Sequence, residues 1–250
     1  MPKNYFLNRK TVRKFSNKEI SEELLKTIIE ASMRAPTCGN MQLYTVIVTK
    51  DETRKKELEK YHFNQTAAVT APVILTICAD FNRFVKWCEA SGAKPGYDNF
   101  HSFITALTDA VIFAQQIVTI AEMEGLGTCY LGTVNYNAKQ ISELLNLPDL
   151  VVPVASVSLG YPEEDDPMVE RLPVEAVMHF EKYENFNDSQ IKKLFEVKEE
   201  FPANKEYVKE NGKDSLAQVF TDIRYPKKTN EEISEQFLKI LKEKKFMNPS

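Results

Sequence analysis

The sequence predicts an α+β fold in which helices flank a central β-sheet. Three apolar runs have the length of strands buried on both faces, at residues 43–49 (LYTVIVT), 73–79 (VILTICA) and 151–159 (VVPVASVSL). Longer segments with helical apolar spacing lie between these runs. We expect a single domain over residues 1–250, with a core at 1–180 and a charged, helical C-terminal extension at 181–250. The alternative is a separate small domain for the tail, but no linker composition separates it from the core.

The first predicted elements are a helix, a loop and a strand. Ser21 is the candidate N-cap of a helix that ends near Ala35. Residues 36–40 (PTCGN) form a loop, and the first apolar run follows it as a strand. A charged helix then covers Asp51 to Lys60, and Pro72 precedes the second strand.

The later elements are built around one long apolar helix. Residues 103–124 predict a helix whose middle is almost free of charge, which suits the centre of a core or a subunit interface. A short strand at 129–131 and a helix at 137–147 precede the third strong strand. Residues 83–99 give no clear pattern. Asn230 is predicted to cap the last helix.

Composition and charge exclude several classes of protein. With 43% hydrophobic residues and a net charge of −4, the chain is globular and gives no reason to expect a nucleic-acid or membrane partner. The four cysteines lack metal-type spacing and predict free thiols in a cytoplasmic protein. No uninterrupted apolar run of eighteen residues occurs, so we expect no transmembrane helix.

Standard catalytic and nucleotide motifs fail to match. Residues 125–130 (GLGTCY) begin like a dinucleotide motif but carry Tyr130 in place of the third glycine, and residues 127–133 carry Thr133 where a P-loop needs lysine. No GxSxG or HExxH motif occurs, and the three histidines are far apart in sequence. A metal site and a Ser/His triad therefore have no support.

Two short segments combine groups that suit an anion or a heterocycle. Residues 9–14 (RKTVRK) place four cations and a hydroxyl together, as phosphate binding requires, although the pattern alone favours a solvated face. Residues 38–42 (CGNMQ) carry two carboxamides that suit the edge of a flavin or pteridine ring. The second pattern alone favours an ordinary Asn/Gly turn, with Gln42 at the start of the strand.

Four segments taken in order resemble the FMN-dependent nitroreductases, and in particular their oxygen-insensitive NADPH nitroreductase and flavin reductase branch. They are NRKTVRKFSNKEIS (8–21), APTCGNMQ (35–42), EGLGTCYLGTV (124–134) and SLGYPEEDDPMVERLP (158–173). The resemblance implies a three-layer fold with a central mixed β-sheet flanked by helices and a helical C-terminal extension. It also implies FMN as cofactor, NAD(P)H as co-substrate, and a homodimer with FMN sites at the subunit interface.

The same resemblance implies where FMN would bind. The phosphate and ribityl contacts fall to Arg9, Lys10, Thr11 and Arg13. A loop from the other subunit contributes Pro36, Thr37, Cys38, Asn40 and Gln42. The flavin ring would contact Gln65, Tyr130, Leu131, Gly132 and Thr133, and Arg171 matches an arginine near the phosphate. No catalytic side chain is implied, because the chemistry takes place on the flavin.

Two positions depart from the family pattern. Relatives often carry a lysine two residues before the position of Arg171, in a segment one residue longer, whereas this chain has Val169 and Glu170. Asn135 stands where relatives of this branch often place an arginine that faces the nicotinamide nucleotide. The choice between NADPH and NADH therefore stays open.

The implied activity is ping-pong electron transfer from NAD(P)H to a small-molecule acceptor such as a nitroaromatic, a quinone or free flavin. Two alternatives remain: an FMN enzyme of the same fold with a narrower natural substrate, and a flavin-binding protein with weak turnover. Cys38 and Cys129 are interpreted as small packing residues rather than redox thiols. His62 lies close to Gln65 in sequence, and its role stays open.

Overall fold

The computed structural model describes residues 3–248, which form two compact units. One unit combines residues up to Lys10 with Pro167–Glu232, and the other combines Thr11–Asp166 with residues from Ile233 onward. The predicted single domain with a boundary near residue 180 stays a prediction.

The larger unit is built on a four-stranded sheet. Its strands are β1 (Tyr44–Thr49), β2 (Val73–Asp80), β3 (Gly127–Tyr130) and β4 (Val151–Gly160), in the order β1-β2-β4-β3. The α+β class is confirmed. The sheet differs from the mixed one that the resemblance implies, because every pairing among the described strands is antiparallel. Segments 50–72 and 131–150 each start and finish at one end of the sheet, which makes their flanking strands antiparallel.

Helices cover both faces of this sheet. They are α2 (Glu22–Ser32), α3 (Glu52–Tyr61), α4 (Thr66–Val69), α5 (Asn82–Ala90), α6 (Phe100–Met123) and α7 (Ala138–Leu144). All eight residues of β2 are buried. Leu75 and Ile77 pack with α2 and α6 on one face, whereas Ile74 and Cys78 pack with α3, α4 and α7 on the other. This alternation explains why the strand is a continuous apolar run.

Helix α6 is the central helix of the core. Asn99 caps it by accepting the N–H of Ser102 at 3.0 Å, so the helix begins three residues earlier than predicted. Its length and composition alone would let it cross a membrane, a property shared by buried core helices. The helix packs on β2 and β4, yet Ile104, Val111 and Ile112 on its other side are exposed. An apolar side of this kind suits a further protein contact.

The smaller unit is helical. It contains α1 (Lys3–Asn8), α8 (Asp188–Glu199), α9 (Pro202–Glu210) and α10 (Leu216–Val219). Asn187 and Gln190 form a reciprocal capping box at the start of α8. The end of α8 is tied to α10 because Glu199 Oε2 accepts the N–H of Leu216 at 2.8 Å.

The last helix, α11 (Lys227–Glu243), corrects one sequence prediction. Asn230 was expected to cap it but lies inside its first turn, where its side chain donates to the carbonyl of Tyr225 at 3.0 Å. The helix begins directly after Pro226, because proline has no N–H to lose at a helix start. Helix α5 occupies part of the segment for which the sequence showed no clear pattern.

Candidate functional site

The basic segment of the larger unit runs beside the edge strand β3. The N–H of Val12 donates to the carbonyl of Thr128 at 3.0 Å, and the N–H of Arg13 donates to Asp166 Oδ2 at 3.1 Å. Thr11 is half-buried and the Arg13 side chain is exposed. Within residues 3–248, the Arg13 guanidinium makes no ion pair. It is therefore available to an anionic ligand.

Three other cations predicted for the site belong to the smaller unit. Arg9 and Lys10 are half-buried there, and Arg171 is exposed and donates to the carbonyl of Glu170 at 2.9 Å. The Glu170 carboxylate accepts from Lys198 Nζ at 2.7 Å. Burial opposes ionisation of Glu170, but the hydrogen bonds from Lys198 and Asn204 hold its pKa below the ordinary value. The segment that departs from the family pattern thus forms an internal ion pair.

The last residue of β3 and the turn after it hold four predicted flavin contacts at one edge of the sheet. Leu131 is buried and its N–H donates to the carbonyl of Ser156 at 2.8 Å, which attaches the turn to β4. Tyr130 is 40% exposed, and Gly132 is exposed at the start of a short helical turn, Gly132–Asn135. The turn is therefore hydrogen-bonded to β4 at Leu131 and exposed at Gly132.

Gly132 is not explained by the packing or the backbone conformation that accounts for most of the other glycines. A Cβ on Gly127 would lie 2.7 Å from Val12, and one on Gly160 would lie 2.9 Å from the Phe15 ring. Gly132 has neither such a neighbour within 4 Å nor a positive φ, a combination that it shares only with Gly96. The surface above Gly132 is open, so a planar ligand has room to approach its backbone.

Thr133, the last residue of this set, is bonded to a buried histidine. Thr133 Oγ1 lies 2.8 Å from His62 Nδ1, and His62 is completely buried. Burial lowers the pKa of His62 to about 4, so the ring is neutral at pH 7. Its Nε2 atom has no hydrogen-bond partner among the residues that the structure describes.

A strained turn leads from His62 to Gln65. The N–H of Gln65 donates to the carbonyl of His62 at 3.2 Å, and the two residues between them, Phe63 and Asn64, have φ values of 55° and 50°. A left-handed conformation is unfavourable for a bulky side chain such as Phe63. The exposed side chain of Gln65 is presented by this turn at the start of α4. Backbone strain of this kind often marks a functional site.

The loop that carries the other predicted contacts is held by a carboxylate that the sequence interpretation missed. Asp109 of α6 is 1% exposed, and its two oxygens accept the N–H of Cys38 at 2.9 Å and that of Leu43 at 3.1 Å. Between these anchors, Asn40 and Gln42 both have φ of 56°. Pro36 and Thr37 precede the clamp, and Thr37 has an extended backbone. The only feature of the sequence that could have indicated this role of Asp109 is its isolated charge in a long apolar helix.

Arg83 of α5 supports the same loop from its exit. Its Nη2 atom donates to the carbonyls of Gln42 at 2.6 Å and Tyr44 at 3.0 Å. A cavity of about 510 Å³ lies beside the loop, lined by Met33, Gln42, Tyr44 and Arg83 among others. Tyr44 is buried against Phe113, and burial raises the pKa of its hydroxyl.

No cysteine forms a disulfide. Cys38 is exposed in the loop, and Cys129 is buried in β3. Within the described part of the chain, no group of three or more His, Cys, Asp or Glu side chains could hold a metal ion.

Trp87 of α5 is 62% exposed and contacts Phe84, with ring centroids 5.3 Å apart.

Comparison with known proteins identifies the family. The family model described as "Nitroreductase family" matches residues 7–161, which include the basic segment, the loop and the turn. The chain belongs to the nitroreductase family. A curated relative, the FMN reductase [NAD(P)H] of Bacillus subtilis (strain 168), is 32% identical over 234 residues, 88% of this chain and 90% of that one.

Solved structures of similar proteins match this chain over nearly its whole length. A candidate oxidoreductase from Bacteroides fragilis is 47% identical, with a TM-score of 0.96, and the match covers 98% of this chain and 100% of that chain. The NfrA1 nitroreductase of B. subtilis has a TM-score of 0.84 at 26% identity, covering 97% and 98% of the two chains. The nitroreductase fold therefore extends beyond residue 161 into the C-terminal helices.

Within one nitroreductase chain, the predicted contacts do not all converge. The segment at 11–13, Gln65 and the turn at 130–133 belong to the β3 side of the sheet. The loop at 36–42 precedes β1 at the opposite edge, with β2 and β4 between. Three strand spacings separate these edges, roughly 14 Å.

Proposed function

We propose that this protein is an FMN-dependent oxidoreductase that takes electrons from NAD(P)H and passes them, in a ping-pong scheme, to a nitroaromatic, a quinone or free flavin. Membership of the nitroreductase family and the name of the B. subtilis relative support this. The structural observation that carries the proposal is the open surface above Gly132, where neither packing nor backbone conformation requires a glycine.

The residues present fit FMN. Thr11 and Arg13 offer a hydroxyl and an exposed guanidinium to the phosphate and ribityl groups, and Arg9, Lys10 and Arg171 are the further cations that we assign there. The turn Tyr130, Leu131, Gly132 and Thr133 supplies a backbone surface for the flavin ring, and Gln65 supplies a carboxamide for its polar edge. When bound, FMN supplies the hydride acceptor, and the protein supplies binding and orientation.

We further propose a cytoplasmic homodimer in which each FMN contacts both subunits. Pro36, Thr37, Cys38, Asn40 and Gln42 would contact the flavin of the other subunit, which accounts for their place at the opposite edge of the sheet. The exposed apolar side of α6 provides a surface for the second copy. Apolar side chains in the smaller unit, including Val177 and Phe180, are also exposed and favour a partner.

The test is an absorbance spectrum of the purified protein, followed by anaerobic addition of NADPH or NADH to separate samples. We expect a yellow protein that bleaches and then regains its colour when a quinone or nitroaromatic is added. The relative bleaching rates give the nucleotide preference that Asn135 leaves open. A flavin that binds but does not bleach identifies a flavin-binding protein without turnover. A protein that takes up no FMN contradicts the proposal.

A further inference from the structure

His62 connects two of the segments that we assign to the flavin. Its ring contacts Thr133 Oγ1 at 2.8 Å, and its carbonyl accepts the N–H of Gln65 at 3.2 Å. The side chain is completely buried and lies outside the set of residues assigned to FMN. Any effect of this buried ring on a bound ligand would therefore pass through its neighbours rather than through direct contact.

The position of the ring hydrogen decides what Thr133 offers to a ligand. A neutral imidazole has one N–H and one bare nitrogen. If Nδ1 carries the hydrogen, Thr133 Oγ1 accepts it and keeps its own hydroxyl hydrogen for another acceptor. If Nε2 carries it, Thr133 must donate to Nδ1 and can only accept from a ligand.

The surroundings of Nε2 favour the first arrangement. Nε2 is buried and has no partner in the described part of the chain. A buried N–H without an acceptor loses its bond to water and is rare in folded proteins, rarer than an unsatisfied acceptor. Placing the hydrogen on Nδ1 uses it in the 2.8 Å contact and leaves only a bare lone pair unpaired.

We propose that His62 is a positioning residue, which donates from Nδ1 to Thr133 Oγ1 and so directs the Thr133 hydroxyl hydrogen to an acceptor atom of the flavin. This inference rests on the proposed function, because the flavin at the turn is part of that proposal. Hydrogen bonds to ring atoms tune the electronic properties of a flavin. His62 would then influence both FMN affinity and FMN midpoint potential without contacting FMN.

Two amide substitutions separate the ring nitrogens. Asn places its amide nitrogen near the Nδ1 position, whereas Gln places it near Nε2. We expect His62→Asn to retain the wild-type Kd for FMN and the wild-type potential. We expect His62→Gln to weaken FMN binding about tenfold and to shift the potential, as the loss of one hydrogen bond implies.

The Thr133 variants complete a double-mutant cycle. Thr133→Ser keeps the hydroxyl and is the matched control for Thr133→Val, which removes it. The His62→Gln/Thr133→Val pair should bind FMN no more weakly than Thr133→Val alone, because both changes remove the same bond. Additive losses, or an unchanged Kd and potential in His62→Gln, would overturn the proposal. Wild-type protein that takes up no FMN would instead contradict the proposed function.

A measurement on the intact His62 avoids any loss of folding in these variants. His62 is one of three histidines, so a His101→Asn/His179→Asn protein labelled with ¹⁵N and loaded with FMN reports its ring nitrogens alone. We expect the chemical shifts of a neutral ring with hydrogen on Nδ1. Hydrogen on Nε2 would refute the proposal directly.

Discussion

Gly127 and Val12 are in a contact that leaves no room for a side chain on the glycine. A Cβ on Gly127 would lie 2.7 Å from Val12 Cβ, and the N–H of Val12 already donates to the carbonyl of Thr128 at 3.0 Å. Val12 therefore packs directly against the edge strand β3. We expect Gly127→Ala to lower the free energy of unfolding by about 1–3 kcal/mol because of overpacking, as measured by urea denaturation.

Gly132→Ala is the matched comparison, with the opposite expected result. Because no atom lies within 4 Å of the added methyl group and φ is not positive, stability without FMN should stay within about 0.5 kcal/mol of the wild-type value. The methyl group would occupy the space proposed for the flavin ring, so FMN affinity should fall. Equal FMN affinity in wild type and Gly132→Ala, measured by fluorescence titration, would place the ring elsewhere.

Arg13→Ala tests the proposed phosphate contact. The exposed guanidinium has no protein ion pair to lose in the described residues, so stability without FMN should change little. A charge-assisted bond to phosphate contributes about 1.5–3 kcal/mol, and the Kd for FMN should rise accordingly. Lys56→Ala, which removes an exposed cation on α3, is the control. Equal flavin content in both variants would contradict the assignment of Arg13.

Asp109 should contribute to stability through the two N–H groups that it binds. Asp109→Ala leaves the N–H groups of Cys38 and Leu43 without their acceptor and should cost about 3 kcal/mol. Asp109→Asn retains one acceptor oxygen and should cost less. Thermal unfolding of the two variants measures this difference. An alanine variant as stable as wild type would show that the clamp contributes nothing.

The buried His62 predicts a loss of stability in mild acid. Its pKa is about 4 in the folded state, against an ordinary value of 6.5, so the unfolded chain binds the proton more tightly. The free energy of unfolding should decrease as the pH falls below 6.5, by about 3 kcal/mol in total once it passes 4. His62→Gln should lack this component. Parallel pH profiles for wild type and His62→Gln would refute the prediction.

The strands and the central helix could be predicted from sequence because burial on both faces leaves continuous apolar runs. The predicted helix starts at Ser21 and Asp51 are also correct, because each side chain caps its helix by accepting a backbone N–H. Asn230 failed because a proline four residues earlier began the helix instead. The clamp by Asp109 and the bond between His62 and Thr133 join residues that are 66 to 71 positions apart in sequence. No local pattern encodes such pairs, since only the folded sheet brings them together.

The separation of the loop before β1 from the turn after β3 has a genetic consequence in the proposed dimer. One flavin site would use Arg13 of one subunit and Gln42 of the other. A mixed dimer of an Arg13→Ala subunit with a Gln42→Ala subunit would carry both defects in one site and neither in the second. Two variants that each bind FMN weakly would therefore form one site with both native contacts when they are expressed together.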